Sequence, residues 1–273
     1  MAELEFKLTR DTVFKILFVK HQDLLKDLVS KLLGIGIGAM VEFNVDNPNI
    51  EPEAFGQKFC RLDIKMKVNG QVINLEVQVK DENDYPERSL YHWARCYSSA
   101  LSVGKDYIDL PRTVAVNIVK FELFKDTKDF HSEFRALEVT RHTELTDRMS
   151  MHYFELKKLP EVVESDAGDG LKMWLSLFNA ETDEELSKIE KIGGKTMVQA
   201  IKAYKSVVVS DEFKEAEVQR EIAEHNEAAA LRHERWETTR KFVQNLHNMG
   251  LSTDNIAKAA EISEAEVKNI LNS

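Results

Sequence analysis

The clearest pattern along the chain is an alternation of apolar and charged residues over positions 59–80. It is interrupted at Asn69-Gly70, a dipeptide that favours the two-residue type I′ turn of a β-hairpin because both positions tolerate positive φ. If the loop has two residues, the hairpin register places Asp63 directly opposite Glu76. The stretch therefore predicts two antiparallel strands that carry a pair of facing carboxylates.

The two predicted strands have one apolar and one polar face. The apolar face consists of alternate residues, namely Leu62, Ile64, Met66, Val68, Ile73, Leu75, Val77 and Val79. Both carboxylates belong to the opposite face, together with Arg61, Lys65, Asn74 and Gln78. Like charges on opposed strand residues, about 5 Å apart, are destabilising, so a cation is expected beside them. Either Lys65 and Lys80 neutralise the acids on a solvated face, or the carboxylates and the Val77 carbonyl bind Mg²⁺ or Mn²⁺.

Helical and extended segments flank the hairpin. Apolar residues recur near helical spacing over 11–33 with a break at His21-Gln22, which predicts a helix or a helix pair. Residues 113–119 form a nearly continuous apolar run, typical of a strand that is buried on both faces, and residues 151–156 predict a further strand. A helix between the hairpin and 113–119 makes the flanking strands parallel, and the order of elements gives an αβββαβ core.

The helix predicted over 87–103 has an apolar stripe and a basic side. The stripe comprises Leu90, Trp93, Ala94, Tyr97 and Leu101, and the other side carries Arg88, His92, Arg95 and Ser99. Arg88 then has two alternative roles, an ion pair with Glu87 or Asp84 or a contact with a phosphate group.

The C-terminal third is predicted to be helical. No proline occurs after Pro160, and a long charged helix, or two, is expected from Ser210 to about His247 as a dimerisation or docking element. The tail resembles a helix-turn-helix over about 245–272, with Ser263 and Glu266 as a capping box. Its acidic helix start is poorly suited to a major groove, so a packed helical pair is the alternative to DNA binding. We therefore expect two domains, 1–180 and 181–273.

Composition and charge limit the possible partners. The 273 residues are 43% hydrophobic and 31% charged, as in ordinary globular proteins. No window approaches the ~20 apolar residues of a membrane span, and no apolar signal region begins the chain, so a cytoplasmic protein without membrane contact is expected. The net charge of −10 argues against a broad basic DNA-binding surface. A bound divalent metal and a locally basic face can still dominate an acidic cleft.

The carboxylate pair also belongs to a longer motif. Asp63, a hairpin and then Glu76-Val77-Gln78 resemble the D…(D/E)xK signature of PD-(D/E)xK nucleases. The flanking segments strengthen this resemblance: DTVFKILF at 11–18, ERSLYHWARCYSSALSVGKDY at 87–107, TVAVNIV at 113–119 followed by FELF, and LTDRMSMHYFELKKLP at 145–160. Together they resemble the bacterial recombination-promoting nucleases, a PD-(D/E)xK nuclease family of transposases. The resemblance covers about the first 180 residues in order and continues more loosely to the end.

The resemblance implies an α/β (α+β) fold with a restriction-endonuclease-like αβββαβ core and a mainly helical C-terminal region. It implies a metal-dependent DNA endonuclease in which Asp63 and Glu76 hold Mg²⁺ or Mn²⁺ and Gln78 orients the water or the substrate. The family's D-x-x-F-K motif adds Asp11 as a third carboxylate, with a helix-dipole role as its alternative, and adds Lys15. The candidates for contact with DNA are Lys15, Lys65, Lys80, Arg88 and, from the R-x-x-Y pattern, Tyr91.

Two departures from the superfamily pattern leave a second function open. Leu62 stands where the superfamily has proline, and Gln78 stands at its lysine position, although this family often carries E-x-Q there. Lys65 and Lys80 are the candidates to replace that lysine, because they lie on the same strand face as the two carboxylates. The alternative function is a nuclease-fold protein without catalysis that binds DNA or forms homo-oligomers through its C-terminal helices.

Overall fold

The computed structural model of the chain describes residues 3–46, 49–50, 60–61, 63–101, 104 and 106–272. The predictions that concern Leu62 and the Arg61 side chain lie outside the described residues. Within them the chain forms helices and strands in the order that the sequence predicts for an αβββαβ core.

The helices occur at both ends of the chain and between two strands of the sheet. They are α1 (Asp11–Lys20), α2 (Gln22–Leu33), α3 (Tyr85–Ser98), α4 (Gly170–Asn179), α5 (Asp183–Ile192), α6 (Gly194–Val208), α7 (Asp211–Asn248), α8 (Thr253–Ala260) and α9 (Glu264–Asn272). The strands are β1 (Phe43–Asp46), β2 (Asn49–Ile50), β3 (Cys60–Arg61), β4 (Ile64–Val68), β5 (Gln71–Gln78), β6 (Thr113–Val119), β7 (His131–Phe134) and β8 (Met149–Glu155).

Six strands form one mixed sheet in the order β1-β4-β5-β6-β8-β7. The pairs β1–β4 and β4–β5 are antiparallel, whereas β5 and β6 are parallel and are connected through α3. The helix pair α1–α2, three antiparallel strands, α3 and the parallel β6 therefore form the predicted αβββαβ core. β8 extends the sheet parallel to β6, and β7 pairs antiparallel with β8.

The chain divides into two compact units, Met1–Phe213 and Lys214–Ser273. In the first unit, α1, α2, α4 and α6 bury aliphatic and aromatic side chains together with one face of β4 and β5. Trp174 illustrates this packing, since its ring is fully buried and its Nε1–H donates to Asp27 Oδ2 at 2.7 Å. The domain boundary predicted at residue 180 stays a prediction.

The second unit contains the rest of α7 followed by α8 and α9. Val243 packs with Ile256 and Val267 in a small separate core, and the hydroxyl of Ser263 caps α9 by accepting from the Glu266 amide at 3.2 Å. The long helix and the helical pair at the tail were both predicted from the sequence. Among the described residues, no helix combines the length and the hydropathy that crossing a membrane requires.

Candidate active site

The hairpin that carries the carboxylates has the register expected from its turn. Asn69 and Gly70 both adopt positive φ, at 48° and 75°, as a two-residue loop requires. Ile64 of β4 faces Leu75 of β5. Asp63 precedes Ile64 by one residue and Glu76 follows Leu75, so the two acids occupy the next opposed position.

Glu76 is held by two side chains on one of its oxygens. Asn74 Nδ2 donates to Glu76 Oε1 at 2.8 Å, and His92 Nδ1 of α3 lies 2.7 Å from the same oxygen. Asn74 and Glu76 are 2% and 6% exposed, because α3 covers this face of β5. The alternative of a solvated polar face is therefore wrong for Asn74 and Glu76. Val79, predicted to be buried, is 46% exposed. A carboxylate in this position is oriented by its neighbours instead of moving freely in water.

Asp63 contacts the backbone of β5 with one oxygen and a lysine of α1 with the other. Its Oδ2 accepts from the Val77 amide at 2.9 Å, and its Oδ1 lies 3.3 Å from Lys15 Nζ. The same Nζ lies 2.5 Å from Asp11 Oδ1, at the first residue of α1. Burial raises the pKa of Asp63 to about 6, because desolvation outweighs the attraction of Lys15 and the Val77 hydrogen bond. The lysine beside Asp63 is thus Lys15, whereas the alternative of a solvated face named Lys65 and Lys80.

Helix α3 contacts the sheet through a face that coincides only in part with the predicted stripe, from which Trp93 Nε1 donates to the Thr113 carbonyl at 2.8 Å. The predicted stripe includes Leu90, which is 47% exposed. The side chains that face inward are instead spaced at helical intervals, namely Tyr85, Ser89, His92 and Cys96. The prediction is wrong for Leu90 because hydrophobicity alone does not identify an interface that is formed largely by hydrogen-bonding side chains.

Each turn of α3 provides a hydrogen-bonding side chain to the sheet. Tyr85 Oη donates to Asn117 Oδ1 of β6 at 2.9 Å, and Ser89 Oγ lies 2.6 Å from Tyr153 Oη of β8. Burial, together with the nearby Glu76, raises the pKa of Tyr85 well above its usual value, so its phenol stays protonated and remains a donor. This layer fixes the position of α3 on the sheet and therefore fixes His92 against Glu76.

The other predicted site residues lie around this centre with their own contacts. Gln78 Nε2 donates to the Lys80 carbonyl at 2.8 Å, and Lys80 is exposed. Arg88 Nη1 donates to Glu82 Oε2 at 2.6 Å, so its ion-pair partner is Glu82 and neither Glu87 nor Asp84. Its guanidinium also lies 5.0 Å from the centre of the Tyr85 ring.

Two further predicted site residues, Lys65 and Tyr91, lie on β4 and α3. Lys65 is half-buried on β4, two residues after Asp63 in the sequence, and Tyr91 is 38% exposed on α3. Within the described residues, neither Lys65 nor Lys80 forms an ion pair with the two carboxylates. The structure therefore brings Asp11, Lys15, Asp63 and Glu76 together and leaves the other candidates at the surrounding surface.

A second polar group, the histidine cluster of His131, Glu133, Ser150 and His152, lies on β7 and β8. His131 Nε2 is 3.0 Å from His152 Nδ1, His152 Nε2 is 3.0 Å from Ser150 Oγ, and Ser150 Oγ donates to Glu133 Oε1 at 2.9 Å. One assignment of protons satisfies the whole chain: each histidine donates from Nε2 and His152 accepts at Nδ1. Burial lowers the pKa of His152 to about 4, so both rings are neutral near pH 7.

The carboxylate oxygens of Asp63 and Glu76 are suitable ligands for a divalent cation such as Mg²⁺. Among the described residues, no set of three or more His, Cys, Asp or Glu side chains is arranged to hold a metal ion. Mg²⁺ does not require such a set, because it commonly binds one or two carboxylates and completes its shell with water and substrate phosphates. Asn74, whose Nδ2 donates to Glu76, also has a buried Oδ1 atom without a hydrogen-bond partner. The site thus contains two oriented carboxylates and one unpaired acceptor.

Asn74 and His92 were not predicted as site residues. Asn74 was assigned to the polar face of the hairpin, and His92 was assigned to the basic side of α3. A signal was present in both cases, because Asn74 and Glu76 share one strand face and His92 shares a helix face with Tyr85 and Ser89. Neither spacing shows that His92 of α3 meets Glu76 and Asn74 of β5, because that contact depends on how α3 is rotated about its axis.

Comparison with known proteins identifies one family. A family model described as PD-(D/E)XK nuclease family transposase matches residues 8–234. No curated protein and no solved structure matches the chain. The matched range contains both carboxylates, the α1 lysine and α3, and it covers more than half of the chain.

Proposed function

The chain belongs to the PD-(D/E)XK nuclease family transposases, and we propose that it is a metal-dependent endonuclease that hydrolyses phosphodiester bonds in DNA. Family membership supports a nuclease-type function and a restriction-endonuclease-like fold. The observation that supports the finer proposal is the pairing of Asp63 with Glu76, two carboxylates held in a fixed orientation at the junction of β4, β5 and α3.

In this proposal Asp63 and Glu76 hold the cation, Mg²⁺ or Mn²⁺. A bound divalent cation lowers the pKa of its water and neutralises charge that develops on the phosphate. The Val77 amide fixes Asp63, while His92 and Asn74 fix one oxygen of Glu76, so that both carboxylates keep their remaining lone pairs for the metal. The protein thus supplies an oriented pair of ligands before the substrate arrives, which limits reorganisation during the reaction.

Lys15 takes the role of the lysine that Gln78 replaces. Its ammonium group already lies 3.3 Å from Asp63 and 2.5 Å from Asp11. Binding of a cation at Asp63 would weaken that ion pair and leave Lys15, still anchored by Asp11, beside the phosphate. Gln78 is proposed to orient the water or the substrate, once its amide leaves the Lys80 carbonyl.

DNA is proposed to contact the surface around this centre. Lys65, Lys80 and Arg88 would contact phosphates, and Tyr91 would contact the sugar or a base. Arg88 would exchange Glu82 for a phosphate, a substitution of one charge-assisted hydrogen bond by another. Because the chain carries a net charge of −10, we expect weak binding that depends strongly on salt. The bacterial cytoplasm and a role in recombination or mobile elements remain parts of this proposal.

The test is nicking of supercoiled plasmid by purified protein with Mg²⁺, Mn²⁺, Ca²⁺ or EDTA. Glu76→Gln is the variant, and His152→Gln is the matched control, since it alters a buried polar side chain outside the site. We expect nicking with Mg²⁺ or Mn²⁺, none with EDTA, loss in Glu76→Gln and retention in His152→Gln. Nicking that persists in EDTA, or in a folded Glu76→Gln protein at the parental rate, would contradict the proposal.

A specific observation favours the second candidate, a nuclease-fold protein without catalysis that binds DNA. Gln78 occupies the superfamily's lysine position, and its amide is engaged with the Lys80 carbonyl. In this case the protein would bind Mn²⁺ and DNA, yet every combination of metal and substrate would leave the plasmid supercoiled.

A further inference from the structure

One side of α7 presents apolar residues to solvent at the spacing of a helix–helix interface. Val218, Ile222, Ala229 and Trp236 are separated by four, seven and seven residues, which places them on one side of the helix. Val218, Ile222 and Trp236 are 52%, 48% and 43% exposed. Helices gain most of their stability in proteins by packing an amphipathic face, and this face lacks such packing within the described chain.

The charges along the same segment are divided into two halves. Residues 214–227 contain five glutamates against Lys214 and Arg220, a net charge of −3. Residues 228–241 contain two glutamates against three arginines and Lys241, a net charge of +2. A parallel pair of these helices would place like charges together, whereas an antiparallel pair places each acidic half beside a basic half.

The boundary between the two halves consists of three small residues, Ala228, Ala229 and Ala230. Small side chains allow two helix backbones to approach closely at a crossing point. A two-fold axis through Ala229 sets Ile222 against Trp236 of the partner subunit, because each lies seven residues from the centre. The same symmetry brings Glu221 near Arg235 of the partner subunit. In the described part of the chain, neither Glu221 nor Arg235 is in an ion pair.

From this pattern we infer that α7 is a homodimerisation helix and that two copies of the chain pack it antiparallel about Ala229. The interface is isologous, so the patch formed by Val218, Ile222, Ala229 and Trp236 meets its own copy. The segment 214–241 would form a contact about 40 Å long at 1.5 Å per residue. This inference concerns assembly alone and is independent of whether the protein cleaves DNA.

Sedimentation equilibrium of the full chain between about 1 and 100 µM tests the dimer. We expect a monomer–dimer equilibrium whose dissociation constant rises at least tenfold in Trp236→Ala and in Ile222→Lys. Leu231→Ala is the matched control, because Leu231 is exposed on the opposite side of the same helix, and it should leave the constant unchanged. Circular dichroism checks that each variant keeps its helix content. A parental protein that stays monomeric, or a dimer that both variants leave intact, would overturn the inference.

Charge reversal tests the orientation. Glu221→Arg and Arg235→Glu should each weaken the dimer, because each sets like charges together across the antiparallel pair. The double variant should return towards the parental dissociation constant, since it restores the pair with its signs exchanged. In a parallel dimer the two positions lie far apart and their effects would simply add. Additive weakening in the double variant would therefore overturn the antiparallel arrangement.

Discussion

Two polar groups lie on the same sheet, and they differ in how completely their hydrogen bonds are satisfied. In the histidine cluster on β7 and β8, one assignment of protons accounts for all the contacts from His131 to Glu133. In the carboxylate cluster, which we define as Lys15, Asp63, Asn74, Glu76 and His92, the Asn74 Oδ1 atom has no donor, and burial raises the pKa of Asp63 to about 6.

The difference separates a structural cluster from a candidate active site. Buried polar groups in folded proteins are usually paired, so an unpaired acceptor beside two acids needs an explanation. Perturbed carboxylates occur frequently at functional sites, although structural ion pairs also perturb them. The histidine cluster can be explained by the fold alone. The carboxylate cluster is explained more completely if a cation and a substrate complete it.

The largest expected effect is that of Asp63→Asn. Removing this proposed metal ligand should lower the nicking rate about 10³-fold, because charge stabilisation at the phosphate is lost. Asparagine keeps an acceptor for the Val77 amide and removes a charge whose burial is unfavourable, so the midpoint of thermal unfolding should not fall. Plasmid nicking measures the rate, and calorimetry on the same preparation measures the midpoint of thermal unfolding. A variant that nicks normally would exclude Asp63 from the active site.

The matched change in the histidine cluster is Glu133→Gln. It should lower the unfolding midpoint, because Glu133 accepts from Ser150 and Arg135, and it should leave nicking within about twofold of the parent. A large loss of nicking in a folded Glu133→Gln protein would show that the two clusters are not functionally separate.

Lys15→Met should lower the nicking rate about 100-fold, the range expected for loss of a positioned acid or charge. The metal concentration that gives half-maximal activity should not rise, because Lys15 competes with a cation for Asp63 Oδ1. A titration with Mn²⁺ at saturating DNA measures the maximal nicking rate and the half-maximal metal concentration separately. If the variant needs more metal and keeps its maximal rate, Lys15 supports the metal site and does not act on the phosphate.

His92 is expected to act as a positioning residue for Glu76. His92→Ala should weaken metal affinity about tenfold, as is typical for groups that orient metal ligands. His92→Asn places an amide near the position of Nδ1 and should recover most of that loss, since Nδ1 is the atom that contacts Glu76. Equal losses in both variants, with normal folding, would show that His92 acts through packing and not through this hydrogen bond.

The smallest effect concerns pH and stability at the histidine cluster. The pKa of His152 is about 4 in the fold, below its ordinary value near 6.5, so its neutral form is favoured by folding. The contribution of His152 to the free energy of unfolding is complete above about pH 6.5. It is lost as the pH falls towards 4, and the loss reaches about 2–3 kcal/mol. His152→Gln cannot titrate and should flatten this part of the pH–stability curve in urea unfolding. An unchanged slope would assign the acid sensitivity to other groups.

The sequence predicted the hairpin and its register because both depend on local chemistry. Asn69-Gly70 selects the turn, and the turn sets which residues face each other, so Asp63 and Glu76 follow without knowledge of the rest of the fold. Strand 113–119 was predicted with its observed bounds, because a short apolar run buried on both faces has few alternatives.

The surroundings of the carboxylates were predicted less well because they depend on tertiary packing. The rotation of α3 follows from partners on three strands, so the predicted apolar stripe was right for Trp93 and wrong for Leu90, which is exposed. For the same reason His92 and Asn74 were missed as neighbours of Glu76. Lys15 was included through its motif, whereas its distance from Asp63 depends on where the fold places α1 relative to that residue.

In the function proposed above, Asp63 and Glu76 together bind a divalent cation. Titration of Mn²⁺ into the metal-free protein, followed by electron paramagnetic resonance of the free ion, measures this without any requirement for catalysis. We predict one tight site in the parent and in His152→Gln, with affinity at least tenfold weaker in Asp63→Asn and in Glu76→Gln. Equal Mn²⁺ affinity in all four proteins, each with parental circular dichroism, would contradict the assignment.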